Sequence, residues 1–303
     1  MKLKRFWGND IEVADYWMEP QQLAKHRIYM RFSNSDYLRS DENGFRVSDE
    51  SDSLIDRYRI NKDKKKIFCF GGSTTFGSLC KYQESYPHYL ESLVDNKFIV
   101  FNLGLPGADI KSSFYTLLYF IRLGMIPDTT IFLDGINEKQ AWFQAKNNYD
   151  KYEELDYQYH PFLRLIEKAN KYDSFSNYIN YSKKKTVNNN NELIDYLQFV
   201  KDQSSSYNKT KDTIEELSKH WNFKTIFFLQ PTVFDFINNE LNDKSKSRYQ
   251  YLKALYKSIL KRSENTVFDI SQNINLSPEM FFDWQHCNGD GNHIIAKKIL
   301  EYF

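Results

Sequence analysis

Apolar positions along the chain gather in short runs at 66–70, 98–103, 130–134, 224–229 and 266–270. Each is rich in Ile, Val or Phe and bounded by polar or turn residues, which suits a strand buried on both faces. Between the runs, apolar residues recur at helical spacing over 84–95, 109–124, 213–221, 247–262 and 292–303. Strand alternating with helix predicts a parallel, doubly wound sheet whose functional site lies at the carboxyl ends of the strands. Residues 1–60 lack that rhythm and are expected to form an extension packed on a core domain of 61–303. A partly helical insertion is expected at about 140–210, with the polar run KKKTVNNNN at 183–191 as a loop. The lysines of 62–66 fit a solvated approach to the first strand.

The first run ends abruptly, FCFGGSTTFGS, placing Ser73 just past a strand end behind Gly71 and Gly72. Glycines followed by a polar residue are ordinary turn chemistry, and they also make the sharp turn that lifts a nucleophile clear of the backbone. The GxSxG spacing of α/β-hydrolases is absent, because Thr75 occupies the place of its last glycine. Ser73 alone leaves both readings open.

Composition narrows the classes of partner. Lys plus Arg number 41 against 40 Asp plus Glu, a nearly neutral field that favours neither nucleic acid nor an acidic membrane. The 24 Phe and 22 Tyr are enough to build stacking platforms for sugars, and an AT-rich coding sequence would produce the same abundance. Cys69, Cys80 and Cys287 are odd in number and lack metal-type spacing, so they read as reduced and structural. NGDGN at 288–292 hints at a calcium loop but lacks the glutamate at its twelfth position, and no metal or other cofactor is expected. His26, His88, His160 and His220 have no partners in sequence, and His293 falls in the final helix. The basic start has no apolar core of signal-peptide type and no run approaches membrane-spanning length, so the expectation is a cytoplasmic protein without membrane insertion. Oligomeric state is not legible.

Three further blocks follow strand ends or precede the last helix. FNLGLPGAD carries Asn102, Gly104 and Gly107; LDGINE carries Asp134, Gly135 and Asn137; DWQHCNGDGNHIIAKKI carries Asp283 three residues ahead of His286. Taken singly, Gly104 and Gly107 fit a turn beside Pro106, Asn137 fits a helix cap, and Asp134 fits a structural role. In this order, with Ser73 first, the blocks resemble those of the SGNH/GDSL hydrolase family, over roughly 42–303 if the lead-in NGFR at 43–46 is included. Two departures stand out: Gly71-Gly72-Ser73 replaces Gly-Asp-Ser, and Asn137-Glu138 replaces Asn-Asp. The resemblance implies a three-layer α/β/α sandwich with a five-stranded parallel, flavodoxin-like sheet. It also implies the SGNH roles for Ser73, Gly107, Asn137 and His286.

Read chemically, Ser73 would be the nucleophile, His286 the general base and then acid, and Asp283 the group that orients His286. Their spacing of three would set Asp283 and His286 on one side of a single helical turn. The backbone N–H groups of Ser73 and Gly107 and the Asn137 amide would receive the charge of a tetrahedral intermediate. Relatives with a GGST-type first block are similar to esterases that remove acetyl groups from carbohydrates. The expected substrate is therefore a small-molecule or glycan ester, with Trp142, Phe143, Tyr149, Tyr152, Tyr157 and Tyr159 of the insertion as stacking surface or as the insertion's own core. Rival readings are an acyltransferase to a sugar hydroxyl, a lysophospholipase or thioesterase, and a non-catalytic glycan-binding module.

Overall fold

The structure is a computed structural model, and it describes residues 34–35, 38–41, 45–48, 53–138, 192–237 and 243–303. Its centre is a five-stranded sheet, β1 (Lys65–Gly71), β2 (Phe98–Asn102), β3 (Thr129–Asp134), β4 (Lys224–Leu229) and β5 (Val267–Asp269). All pairings are parallel and the spatial order is β2-β1-β3-β4-β5, the flavodoxin-like arrangement anticipated from the sequence. The strands fall within a residue or two of the apolar runs.

Side-chain alternation divides the core into two layers. Phe68, Phe70, Phe101, Phe132, Phe227 and Leu229 face one way, toward α1 (Leu54–Ile60), α4 (Ile110–Arg122), α5 (Glu192–Trp221) and α6 (Asp243–Arg262). Ile67, Cys69, Val100, Ile131, Leu133, Ile226 and Phe228 face the other way, toward α3 (Tyr86–Leu93) and α7 (Gly289–Leu300). Parallel register carries identical residues across strands: Phe70, Phe132 and Phe227 pair side by side and stack, with centroids 5.0 Å apart at each step. Much of the aromatic content thus serves the core, where each such contact adds to burial energy.

Helix boundaries follow their caps. Asp109 accepts from Ser112 N–H at the start of α4, and Asn288 accepts from Gly291 N–H at the start of α7. The structure adds detail at two places in this organisation. The end of the anticipated insertion, 192–210, is the first part of α5, a 30-residue helix that buries Phe199, Val200, Tyr207 and Ile214 in the core. The aromatic residues named between 142 and 159, and the polar run 183–191, lie outside the described residues. From the N-terminal extension, Phe45, Val47 and Leu54 enter the core itself. Among the described residues, no helix is long and apolar enough to cross a membrane.

Candidate active site

β1 ends at Gly71, and α2 (Ser73–Phe76) begins at once, so Ser73 is a first helical residue whose N–H has no partner within the helix. Glycine is required at 71: φ is +148°, and a Cβ would lie 2.4 Å from Leu133 O and 2.3 Å from Thr75 Oγ1. At Gly72 a Cβ would lie 2.3 Å from Asn137 Nδ2, so the missing side chain lets the third block close on the first. Gly77 ends α2 in a left-handed conformation, returning its N–H to Ser73 O at 3.0 Å. Thr75, in the place of the absent glycine, is buried and donates its hydroxyl to Phe70 O at 3.3 Å.

His286 Nε2 lies 2.7 Å from Ser73 Oγ, and its Nδ1 lies 2.6 Å from Asp283 Oδ2. The three side chains, drawn from the two ends of the domain, thus form one hydrogen-bonded line. The local shape around Asp283 differs from expectation. Residues 282–285 form a bend rather than a helical turn, and the bend and His286 are bracketed by a bridge between Phe281 and Cys287. Asp283 builds that bend itself, because its Oδ1 accepts from the N–H groups of both Gln285 and His286 at 2.8 Å. Those bonds compete with a helix, as short polar side chains do. Burial pushes the Asp283 carboxyl up. The charge of His286 and the hydrogen bonds from His286 and Gln285 outweigh it and hold the group below its ordinary range.

Gly107 has φ +81°, and nothing lies within 4 Å of the place its Cβ would take. Its glycine is therefore explained by backbone conformation rather than crowding within the protein. Asn137 Nδ2 donates to Ala108 O at 2.6 Å, a bond that joins the second and third blocks and fixes the plane of the amide. The longer carboxylate of Glu138 adds to that junction by accepting from Ile110 N–H, and it ties the third block to itself by accepting from Gly135 N–H, both at 2.8 Å. Asp134 stays behind the crest, accepting from Ser113 Oγ at 3.3 Å. Burial raises its carboxyl well above the usual range, and the nearby Glu138 and Asp109 raise it further.

Three supporting residues gave little or no signal in the sequence. Arg46, at the end of the NGFR lead-in, is buried, lies over the Phe76 ring, and donates to Gly77 O at 3.3 Å and Cys80 O at 2.8 Å. Gln285, inside DWQH, places its Nε2 3.2 Å from His286 Nε2. Gln230 is the first residue past β4; a polar group at the carboxyl end of a buried strand was its only signal. The three cysteines are free and buried, and burial pushes the Cys80 thiol up to about 12. His293 lies within α7 and stacks on Tyr89.

A parallel α/β/α sandwich with a Ser-His-Asp line at its strand ends defines the class. The family model of GDSL-like Lipase/Acylhydrolase matches residues 52–299, so the chain belongs to that family and is an acylhydrolase of the esterase kind. Solved structures with a similar fold include an acetyl xylan esterase, AlAXEase (13% identity, 78% of this chain and 98% of that one, TM-score 0.44). Another is a lipolytic G-D-S-L family protein from Veillonella parvula (15%, 79% and 98%, TM-score 0.41). A third is the acetylxylan esterase Axe2 from Geobacillus stearothermophilus (17%, 79% and 95%, TM-score 0.41). No curated protein matched.

Proposed function

We propose that the protein is a serine esterase that removes a short acyl group, acetyl foremost, from a carbohydrate or glycan precursor through an acyl-serine intermediate. The observation that carries the chemistry is the Ser73 Oγ to His286 Nε2 contact of 2.7 Å, with Asp283 on the far nitrogen at 2.6 Å. His286 takes the Ser73 proton as Oγ attacks the ester carbonyl, and it returns that proton to the departing alcohol. Water then attacks the acyl-Ser73 ester by the same route, with His286 again as base. The oxyanion is received by Ser73 N–H, Gly107 N–H and the Asn137 amide, where one donor is typically worth about 10²–10³ in turnover. Support for a small acyl group comes from the close packing of the third block on the first, where even a Cβ at Gly72 would lie 2.3 Å from the Asn137 amide. The carbohydrate part rests on the GGST-type first block.

The test combines a serine-reactive fluorophosphonate with nitrophenyl esters of increasing chain length and acetylated mono- and oligosaccharides. Labelling at Ser73, loss of turnover in Ser73→Ala, and highest kcat/KM at the acetyl ester with acetate released from a sugar are expected. Turnover that survives Ser73→Ala would remove the serine mechanism. A preference for long acyl chains, with no acetate from any sugar, would move the substrate to lipids or thioesters, and acyl transfer to an added sugar in place of hydrolysis would make the protein a transferase.

A further inference from the structure

Ser73 and His286 meet across a gap between unconnected pieces of chain. Ser73 opens a helix of four residues, and His286 follows an irregular bend, so neither element alone fixes the distance between them. Gln230 stands beneath both. It is 4% exposed, and its backbone is held twice: its N–H donates to Asp134 O at 2.9 Å, and its carbonyl accepts from the Tyr256 hydroxyl at 2.8 Å. From that fixed base its side-chain Nε2 donates to Gln285 O at 3.0 Å and to Thr74 Oγ1. Thr74 directly follows Ser73, and Gln285 directly precedes His286. A primary amide has two hydrogens, and here they go to the chain neighbours of the nucleophile and of the base. Tyr256 also packs where a Cβ at Gly135 would sit, 2.6 Å away, so the same ring backs the turn leading to Asn137.

We propose that Gln230 is a positioning residue that sets the Ser73–His286 distance by clamping Thr74 to Gln285. The proposal rests on the serine-esterase reading above. A carboxylate cannot replace the amide, because it has no hydrogen to offer the Gln285 carbonyl. An aliphatic side chain leaves the two acceptors without their shared donor, and the long bond from the Thr74 hydroxyl to Gln285 O at 3.4 Å is then the direct link left between α2 and the bend, too weak to hold them in register. A displacement of about 1 Å in such a pair costs on the order of 10²-fold in rate, while substrate binding is little affected.

The test is steady-state hydrolysis of a short nitrophenyl ester by Gln230→Leu, Thr74→Val and Thr74→Ser, with each fold checked by circular dichroism. Gln230→Leu is expected to lower kcat about 10–100-fold with KM within about twofold of wild type. Thr74→Val, which removes one acceptor of Gln230 and the hydroxyl's own long bond to Gln285 O, loses part of that, and Thr74→Ser, which keeps both, loses less than Thr74→Val. In a His286→Ala background, where no imidazole needs aligning, adding Gln230→Leu is expected to change the residual rate less than about twofold. A folded Gln230→Leu with kcat within about twofold of wild type overturns the proposal, as does an equal loss with and without His286. If Gln230→Leu fails to fold, Thr74→Val is measured with and without His286 in its place, and the same two outcomes overturn the proposal. Activity that depends on Ser73 but not on Gln230 defeats this inference alone, whereas activity independent of Ser73 defeats the esterase reading beneath it.

Discussion

Asp283 uses each carboxylate oxygen for a different purpose: Oδ1 shapes the bend by accepting two backbone N–H groups, and Oδ2 meets His286 Nδ1. Asp283→Asn separates the two. The amide oxygen can still accept from Gln285 and His286 N–H, so the bend persists. Its NH₂, however, would face Nδ1 and drive the imidazole proton to Nε2, the nitrogen that in the proposed mechanism receives the proton of Ser73. We expect kcat on an acetyl ester to fall by about 10³–10⁴-fold, with the melting temperature little changed. Thermal melting and kcat measured on the same preparation check this. A variant within about tenfold of wild type in kcat would show that Asp283 serves only the bend.

At the scale of elements, the short helix α2 is held from several directions. Arg46 donates to the carbonyls that follow it, Asn102 donates to Phe76 O at 3.3 Å, and Gly104 lies directly against it. A Cβ at 104 would sit 2.3 Å from Phe76 N and 2.7 Å from Thr75 C, both backbone atoms that cannot turn aside. Gly104→Ala must therefore move α2, and it is expected to cost about 1–3 kcal/mol in urea unfolding and to lower kcat together with stability. Unchanged kcat at reduced stability would mean that the strain is absorbed elsewhere than at Ser73. The sequence shows such elements unevenly. The strands were legible because both of their faces are buried, which leaves uninterrupted Ile, Val and Phe. The first three blocks were legible because their chemistry sits where strands end, and the fourth because it leads into the last helix. The first half of α5 was not: DYLQFVKDQSSSYNKTKD is polar, and only a sparse set including Phe199, Val200 and Tyr207 marks its buried side. The bend at Asp283 escaped because side-chain bonds to backbone, not periodicity, create it. Gln230 belongs to no motif, and its partners lie 156 and 55 residues away in the chain.

For the molecule as a whole, ionisation at and behind the strand crest gives stability opposing dependences on pH. Burial raises the Glu138 carboxyl from 4.5 to about 7, aided by Asp109 and opposed by the N–H groups it accepts, and burial raises Asp134 as well. For an acid whose pKa is higher in the folded state, the native protein holds more protons than the unfolded chain between the two values. Stability is then fully present below the unfolded pKa and falls as pH rises toward the folded one. Asp283, held below its ordinary range, acts in the opposite sense, and its contribution is lost as pH falls. Stability should therefore decline from mildly acidic pH into the neutral range, and Asp134→Asn isolates the cause. The amide oxygen can keep the bond from Ser113, while the carboxyl that folding must keep protonated against burial and the nearby Glu138 is gone. The variant is therefore expected to match wild type near pH 4 and to exceed it in stability near pH 8. Urea midpoints at the two pH values measure this. An equal loss of stability at both would show that Asp134 is needed as a hydrogen-bonding carboxyl and that its ionisation does not govern the pH response.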